Sequence, residues 1–136
     1  MIDPDDLDEK RPHLVIIDDL QDTNDKRIEA FFVKKCHHRN TSCIYVCQNL
    51  FGQGRGHRTC SLNASYIILF ASARDRRQIV TLGQQMLLNV SERKIILLDS
   101  YHADCQKPYS YHLIDLHAET PNHFRLRGSI FVSYPF

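Results

Sequence analysis

Long apolar runs are missing from this sequence. The longest, Leu14–Ile17, Tyr66–Ala71 and Ile95–Leu98, fall well short of the ~20 residues that a membrane-spanning helix needs. A helical span is excluded on that ground, and no membrane partner is expected. Charge of one sign is also missing. Lys and Arg number 17 and Asp and Glu 16, for a formal net charge of +1. The bulk field therefore points to no polyanionic partner, and any nucleic-acid contact has to come from a local patch. Residues Met1 to Lys10 are acidic and lack the basic and then apolar layout of a secretory signal. Repeats and low-complexity tracts are absent. The five cysteines, Cys36, Cys43, Cys47, Cys60 and Cys105, are odd in number and follow no framework spacing. They read as free thiols in a reducing compartment, and the protein is expected to be intracellular.

What remains is an ordinary globular composition, 43% hydrophobic and 24% charged over 136 residues. That suits one domain with a single core. Residues 1–12 read as an acidic, disordered lead-in. His13-Leu-Val-Ile-Ile-Asp-Asp19 is an apolar run closed by acids, the pattern of a buried parallel strand whose carboxyl end meets solvent. Asp25 to Lys35 carries Ile28, Phe31 and Phe32 at helix spacing, with charges that suit the dipole. Ser42 to Cys47 is a second strand, ending at Gln48-Asn49. Phe51 to His57 holds three glycines and reads as a loop. Tyr66 to Phe70 is a third strand.

Arg74 to Leu88 is a helix with Ile79, Leu82 and Met86 on one face and Asp75 near its start. Ser91 to Gln106 favours a helix through Tyr101 and His102, with a strand at Lys94–Leu98 as the alternative. Tyr111 to Asp115 is a fourth strand, and Phe124 to Val132 is a short terminal strand or extended segment. This order predicts an α/β layer protein with a mainly parallel sheet.

Ligands of α/β sheets bind beyond the carboxyl ends of the strands. Two strand ends here are polar in an unusual way. Asp18-Asp19 supplies adjacent carboxylates. One suits a hard cation such as Mg²⁺ and the other can orient or deprotonate a water. Gln48, at the end of the next strand, has the chemistry of a γ-phosphate or water-positioning amide. The plain alternatives are a strand meeting a polar turn and a loop amide. Both features on successive strands are more specific than either alone.

Leu14-Val-Ile-Ile-Asp-Asp19, Phe31-Phe32, His37 to Ser42 and Ile44-Tyr-Val-Cys-Gln-Asn-Leu-Phe51 together resemble the DNA-packaging ATPases of the FtsK/HerA superfamily. The likeness is to the poxvirus-type enzymes of adintoviruses and Polinton/Maverick elements. Arg58 to Ala64, Tyr66 to Phe70, Arg74-Asp75, Gln78-Ile79 and Tyr109 to Leu116 continue it, so it spans about His13 to Phe131. The resemblance implies a RecA-like, additional-strand P-loop fold of three layers, with residues 13–136 as its part from Walker B to the C-terminus. It implies ATP-driven translocation of double-stranded DNA into a capsid by a homo-oligomeric ring, with Mg²⁺ and ATP as cofactors. The location would be the nucleus or a cytoplasmic virus assembly site. By the same resemblance Asp18 is the metal-side acid, Asp19 the water-activating acid and Gln48 the polar sensor. Asn49, Arg58 and Arg74 are candidates for nucleotide or phosphate contact. Arg55, Arg58, Arg76 and Arg77 are candidates for DNA contact.

One departure stands out. These ATPases carry a Gly-rich loop ending in Gly-Lys-Ser/Thr, which grips the β- and γ-phosphates, and no such motif occurs in the 136 residues. Phe51-Gly-Gln-Gly-Arg-Gly56 lacks the Lys-Ser/Thr and lies downstream of the acids. The expectation is a truncated ATPase part that binds ATP weakly or not at all by itself.

Other clusters carry less. Cys36, His37, His38 and Cys43 miss the paired spacing of structural zinc sites. Arg74-Asp-Arg-Arg77 reads as a solvated helix end or a phosphate contact. Ser100, His102 and Asp104, two apart on a helix, cannot face one another as a triad. Two further functions compete with the ATPase part: a non-catalytic module binding DNA or ATPase partner subunits, and a metal-dependent nuclease using Asp18 and Asp19.

Overall fold

The computed structural model describes residues 7–8, 10–18, 32, 40–52, 55–72, 74, 76–86 and 93–131. The chain divides into two compact units, Met1–Ala64 and Ser65–Phe136.

In the first unit, β1 (His13–Asp18) and β2 (Thr41–Val46) form a parallel pair. The register runs from His13 opposite Thr41 to Asp18 opposite Val46. The His13 amide donates to the Asn40 carbonyl at 2.9 Å and extends the ladder by one bond. Asp8 organises the approach to β1. Its carboxylate accepts from the Lys10 amide at 3.0 Å, and its carbonyl accepts from the Arg11 amide at 3.2 Å. A strand's side chains alternate between faces. Here Val15, Ile17, Cys43 and Tyr45 turn toward a core formed with Phe32 and Cys60. Leu14, Ile16, Ile44 and Val46 turn the other way and are 46–62% exposed. The sequence reads as strands buried on both sides; one face of this pair is open.

Cys60 belongs to α1 (Arg55–Asn63). This helix corrects the expectation of a loop across Phe51 to His57, because it takes in Arg55, Gly56 and His57. The glycines argue for a loop by local propensity alone. Burial of Cys60 in the core supplies the tertiary term that outweighs a glycine in the first turn. The Asn63 amide donates to the Thr59 carbonyl at 2.8 Å at the helix end. The expected helix Asp25–Lys35 lies outside the described residues apart from buried Phe32. Cys36, His37, His38 and Asp75 also lie outside them.

The second unit holds β3 (Tyr66–Phe70), α2 (Arg76–Met86), α3 (Arg93–Asp104), β4 (Tyr111–Asp115), a 3-10 turn (Asn122–Phe124) and β5 (Leu126–Arg127). α3 resolves the two readings of residues 91–106 in favour of the helix. Ile79 and Leu82 of α2, and Leu97 and Tyr101 of α3, are spaced three or four apart and buried, as helix faces require. Ile67, Leu113 and Ile114 are also buried among the described residues of this unit. The Tyr101 hydroxyl donates to the Phe70 carbonyl at 3.0 Å and accepts from the Ser72 amide at 2.8 Å. It thereby ties α3 to the end of β3.

The sheet order is β3-β4-β5, and both pairings are antiparallel. This corrects the expected mainly parallel sheet; among the described residues only β1 and β2 pair in parallel. One helical pass between two strands returns the chain for a parallel partner. Between β3 and β4 there are two passes, α2 and α3, and the second undoes the reversal made by the first. The chain is thus mixed α/β, with a two-stranded parallel and a three-stranded antiparallel sheet. No helix among the described residues is long and apolar enough to cross a membrane.

Candidate functional site

The parallel pairing brings the carboxyl ends of β1 and β2 to one edge. Asp18 ends β1 with its side chain exposed, beside Val46, and β2 runs on into Cys47, exposed Gln48 and exposed Asn49. This is the edge at which α/β sheets receive ligands. Asp19 lies outside the described residues. The Asn49 side chain has a local task, since its Oδ1 accepts the Phe51 amide at 2.9 Å and closes the turn after β2. Burial pushes the Cys47 thiol above its ordinary range, against a smaller lowering by a backbone bond from Asn49.

An aromatic cluster supports this edge from the core side. The Tyr45 ring meets Phe32 edge-on at 6.0 Å and His57 at 5.5 Å, and its hydroxyl lies 3.2 Å from His57 Nε2. Burial, with lesser contributions from the neighbouring Cys47 and Cys60, pushes the Tyr45 phenol up to about 12. The phenol stays neutral and works as a fixed polar anchor. Gly52 packs closely on this cluster: a Cβ there would sit 3.2 Å from the His57 ring, a tight contact to which the ring would have to yield.

The arginines singled out by sequence are spread over both units. Arg58 is exposed on α1, and Arg55 opens the same helix. Arg74 follows β3, and Arg76 and Arg77 open α2, all three exposed. No acid occupies the first turn of α2. Among the described residues no group of three or more His, Cys, Asp and Glu side chains converges as a metal cage.

Sequence reasoning missed the polar network of the second unit. Asp115 is buried at the end of β4. Its Oδ2 accepts from Arg127 Nη2 at 2.6 Å, and its Oδ1 accepts from the His117 amide at 3.0 Å and lies 2.9 Å from His117 Nδ1. Burial alone would raise this carboxyl. Bonds from the His117 backbone and ring and from Thr120, with the Arg127 charge, outweigh it and hold the group below its usual range. Arg125 Nη1 donates to the carbonyls of Asp115 at 3.1 Å and His117 at 2.8 Å, fixing the loop that follows.

One layer deeper, fully buried His112 places Nδ1 2.6 Å from Asp104 Oδ2, while its Nε2 has no hydrogen-bond partner among the described residues. Gly128 packs on the same carboxylate, where a Cβ would come within 2.5 Å of Asp104 Oδ1. These partners lie on different elements and share no local motif. The acid ending the apolar strand Tyr111–Asp115 was the one available signal.

No family model matches this chain, and no curated protein or solved structure matches it either.

Proposed function

We propose that this chain contributes the Walker B and sensor part of an ATP-driven double-stranded DNA packaging motor of the FtsK/HerA type. Its residues 13–136 would then belong to a RecA-like, three-layer P-loop domain. The observation that carries the reading is the β1–β2 pair. Its parallel register places Asp18 and the segment reaching Gln48 at one carboxyl edge, where a Mg²⁺-nucleotide needs a metal-side acid and a polar sensor. The open face of that pair also supports it, because parallel sheets are ordinarily covered on both faces. A strand and helix bearing the phosphate loop are the kind of cover such a face requires.

In this reading Asp18 holds the metal or its water shell, Asp19 orients the attacking water and Gln48 reaches toward the γ-phosphate. The cation, when bound, would neutralise charge developing on the phosphates. Without a Gly-Lys-Ser/Thr loop the site lacks its main phosphate grip. The 136-residue chain is therefore expected to show no saturable Mg²⁺-ATP binding in calorimetric titration and no turnover. Robust ATP hydrolysis by this chain, abolished by Asp19→Asn, would overturn the view that the missing loop disables it. A Gly-Lys-Ser/Thr loop encoded in frame upstream of Met1 would support the reading directly.

Exposed Arg58, Arg74, Arg76 and Arg77 favour a second reading, a non-catalytic module that binds DNA or ATPase partner subunits. It predicts duplex DNA binding that weakens as salt rises and does not depend on Asp18.

A further inference from the structure

We infer that β3 is a self-pairing edge through which two copies of this chain join across a two-fold axis, an inference independent of the nucleotide reading. Among the described residues β3 is the terminal strand of its sheet. The Leu116 amide donates to the Ser65 carbonyl at 2.9 Å, which sets the phase of the β3–β4 ladder. Hydrogen-bonded pairs alternate in an antiparallel ladder, so Ile67 and Leu69 bond toward β4. The backbone groups of Tyr66, Ile68 and Phe70 point to the other edge. Of these, the Phe70 carbonyl accepts from the Tyr101 hydroxyl at 3.0 Å, and a carbonyl keeps a second lone pair.

Native edge strands are ordinarily blunted by charge, proline or a bulge. Tyr66-Ile-Ile-Leu-Phe70 has neither a charge nor a proline.

The occupant is specified by the segment itself. Ala64-Ser-Tyr-Ile-Ile-Leu-Phe-Ala-Ser72 reads nearly the same in both directions about Ile68. Laid antiparallel on a second copy, Ile68 meets its own mate, Ile67 meets Leu69, Tyr66 meets Phe70, and Ser65 meets Ala71. The backbone phase agrees, because Ile68 against Ile68 and Tyr66 against Phe70 are all edge-facing residues. Each crossing can then exchange both of its bonds.

The side chains agree as well. Tyr66, Ile68 and Phe70 lie on one face at 52%, 44% and 63% exposure. Aromatic and β-branched cross-strand pairs are the stabilising unit of a sheet. The segment carries no charge, so no like charges meet across the axis. Such pairing is isologous and closes at two copies, giving a continuous sheet in the order β5-β4-β3-β3-β4-β5.

Sedimentation equilibrium on the full 136-residue chain tests this. The expected result is a reversible dimer, with exchange of the Tyr66 and Ile68 amides slowing as protein concentration rises. Ile68→Lys puts like charges directly opposite each other and is expected to weaken the dimer by at least about tenfold, with an unchanged circular dichroism spectrum because Ile68 is exposed. Mixing it with Ile68→Glu is expected to bring the dimer back. A chain that stays monomeric at every concentration overturns the inference. So does an association that Ile68→Lys leaves intact, or open-ended growth in place of a dimer.

Discussion

Asp115 shows how a single buried carboxylate is made tolerable. It gives up water and receives the Arg127 guanidinium, the His117 amide and the His117 ring in exchange. Its folded value lies below the ordinary 3.8. The sign of the linkage follows: its stabilisation is complete above the unfolded value and is lost as pH falls through the depressed folded one. Asp115→Ala leaves half-buried Arg127 without its carboxylate partner, a change expected to cost about 2 kcal/mol. Chemical denaturation at neutral pH should register that loss. The gap between variant and wild type should narrow as the pH drops below the carboxylate range. An equal gap at every pH would mean that charge plays no part. None of this was legible in the sequence, because Asp115 and Arg127 are brought together only by the pairing of β4 with β5. The strand-end positions of Asp18 and Gln48 were legible because each follows directly from its own apolar run.

Elements are held by faces, and α3 has the most demanding one. Leu97 is fully buried and Tyr101 nearly so, one turn apart, and the helix packs against α2 and β4. Leu97→Ala is expected to cost roughly 3 kcal/mol, within the range for buried leucines, read as a lowered midpoint in urea. A change at exposed Ile96 on the same helix should leave the midpoint nearly unmoved. The contrast between neighbours is the point: helix periodicity separates them, whereas the run Ile95 to Leu98 read as a strand does not. Strand limits were legible to within a residue for β1, β2, β3 and β4, since unbroken apolar runs bounded by polar residues define them. The start of α1 was not, because glycine content argues for a loop and only the seat of Cys60 argues for a helix.

At the scale of the whole chain the unusual quantity is uncovered apolar surface. Leu14, Ile16, Ile44 and Val46 form an open face on the β1–β2 pair, and β3 carries Tyr66, Ile68 and Phe70 outward on its own sheet. Patches of this kind mark contact surfaces. An apolar dye such as anilinonaphthalene sulfonate should fluoresce with the folded chain, and Ile16→Thr with Ile44→Thr should reduce that signal without unfolding it. Dye fluorescence untouched by the pair of changes would mean that the first face is not accessible in solution. The exposed Asp18 end of β1 and the open face belong to the same two strands.

Composition and periodicity by themselves determined the four principal strands, the helices α2 and α3 and the polar ends of the first two strands. These are local properties, carried by residues a few positions apart. Only the tertiary structure decided strand direction in the second sheet, the extent of α1, the enclosure of Asp115 and His112, and which apolar residues stay in water. Each of those depends on partners far apart in sequence, and their meeting is set by how many times the chain reverses before it returns.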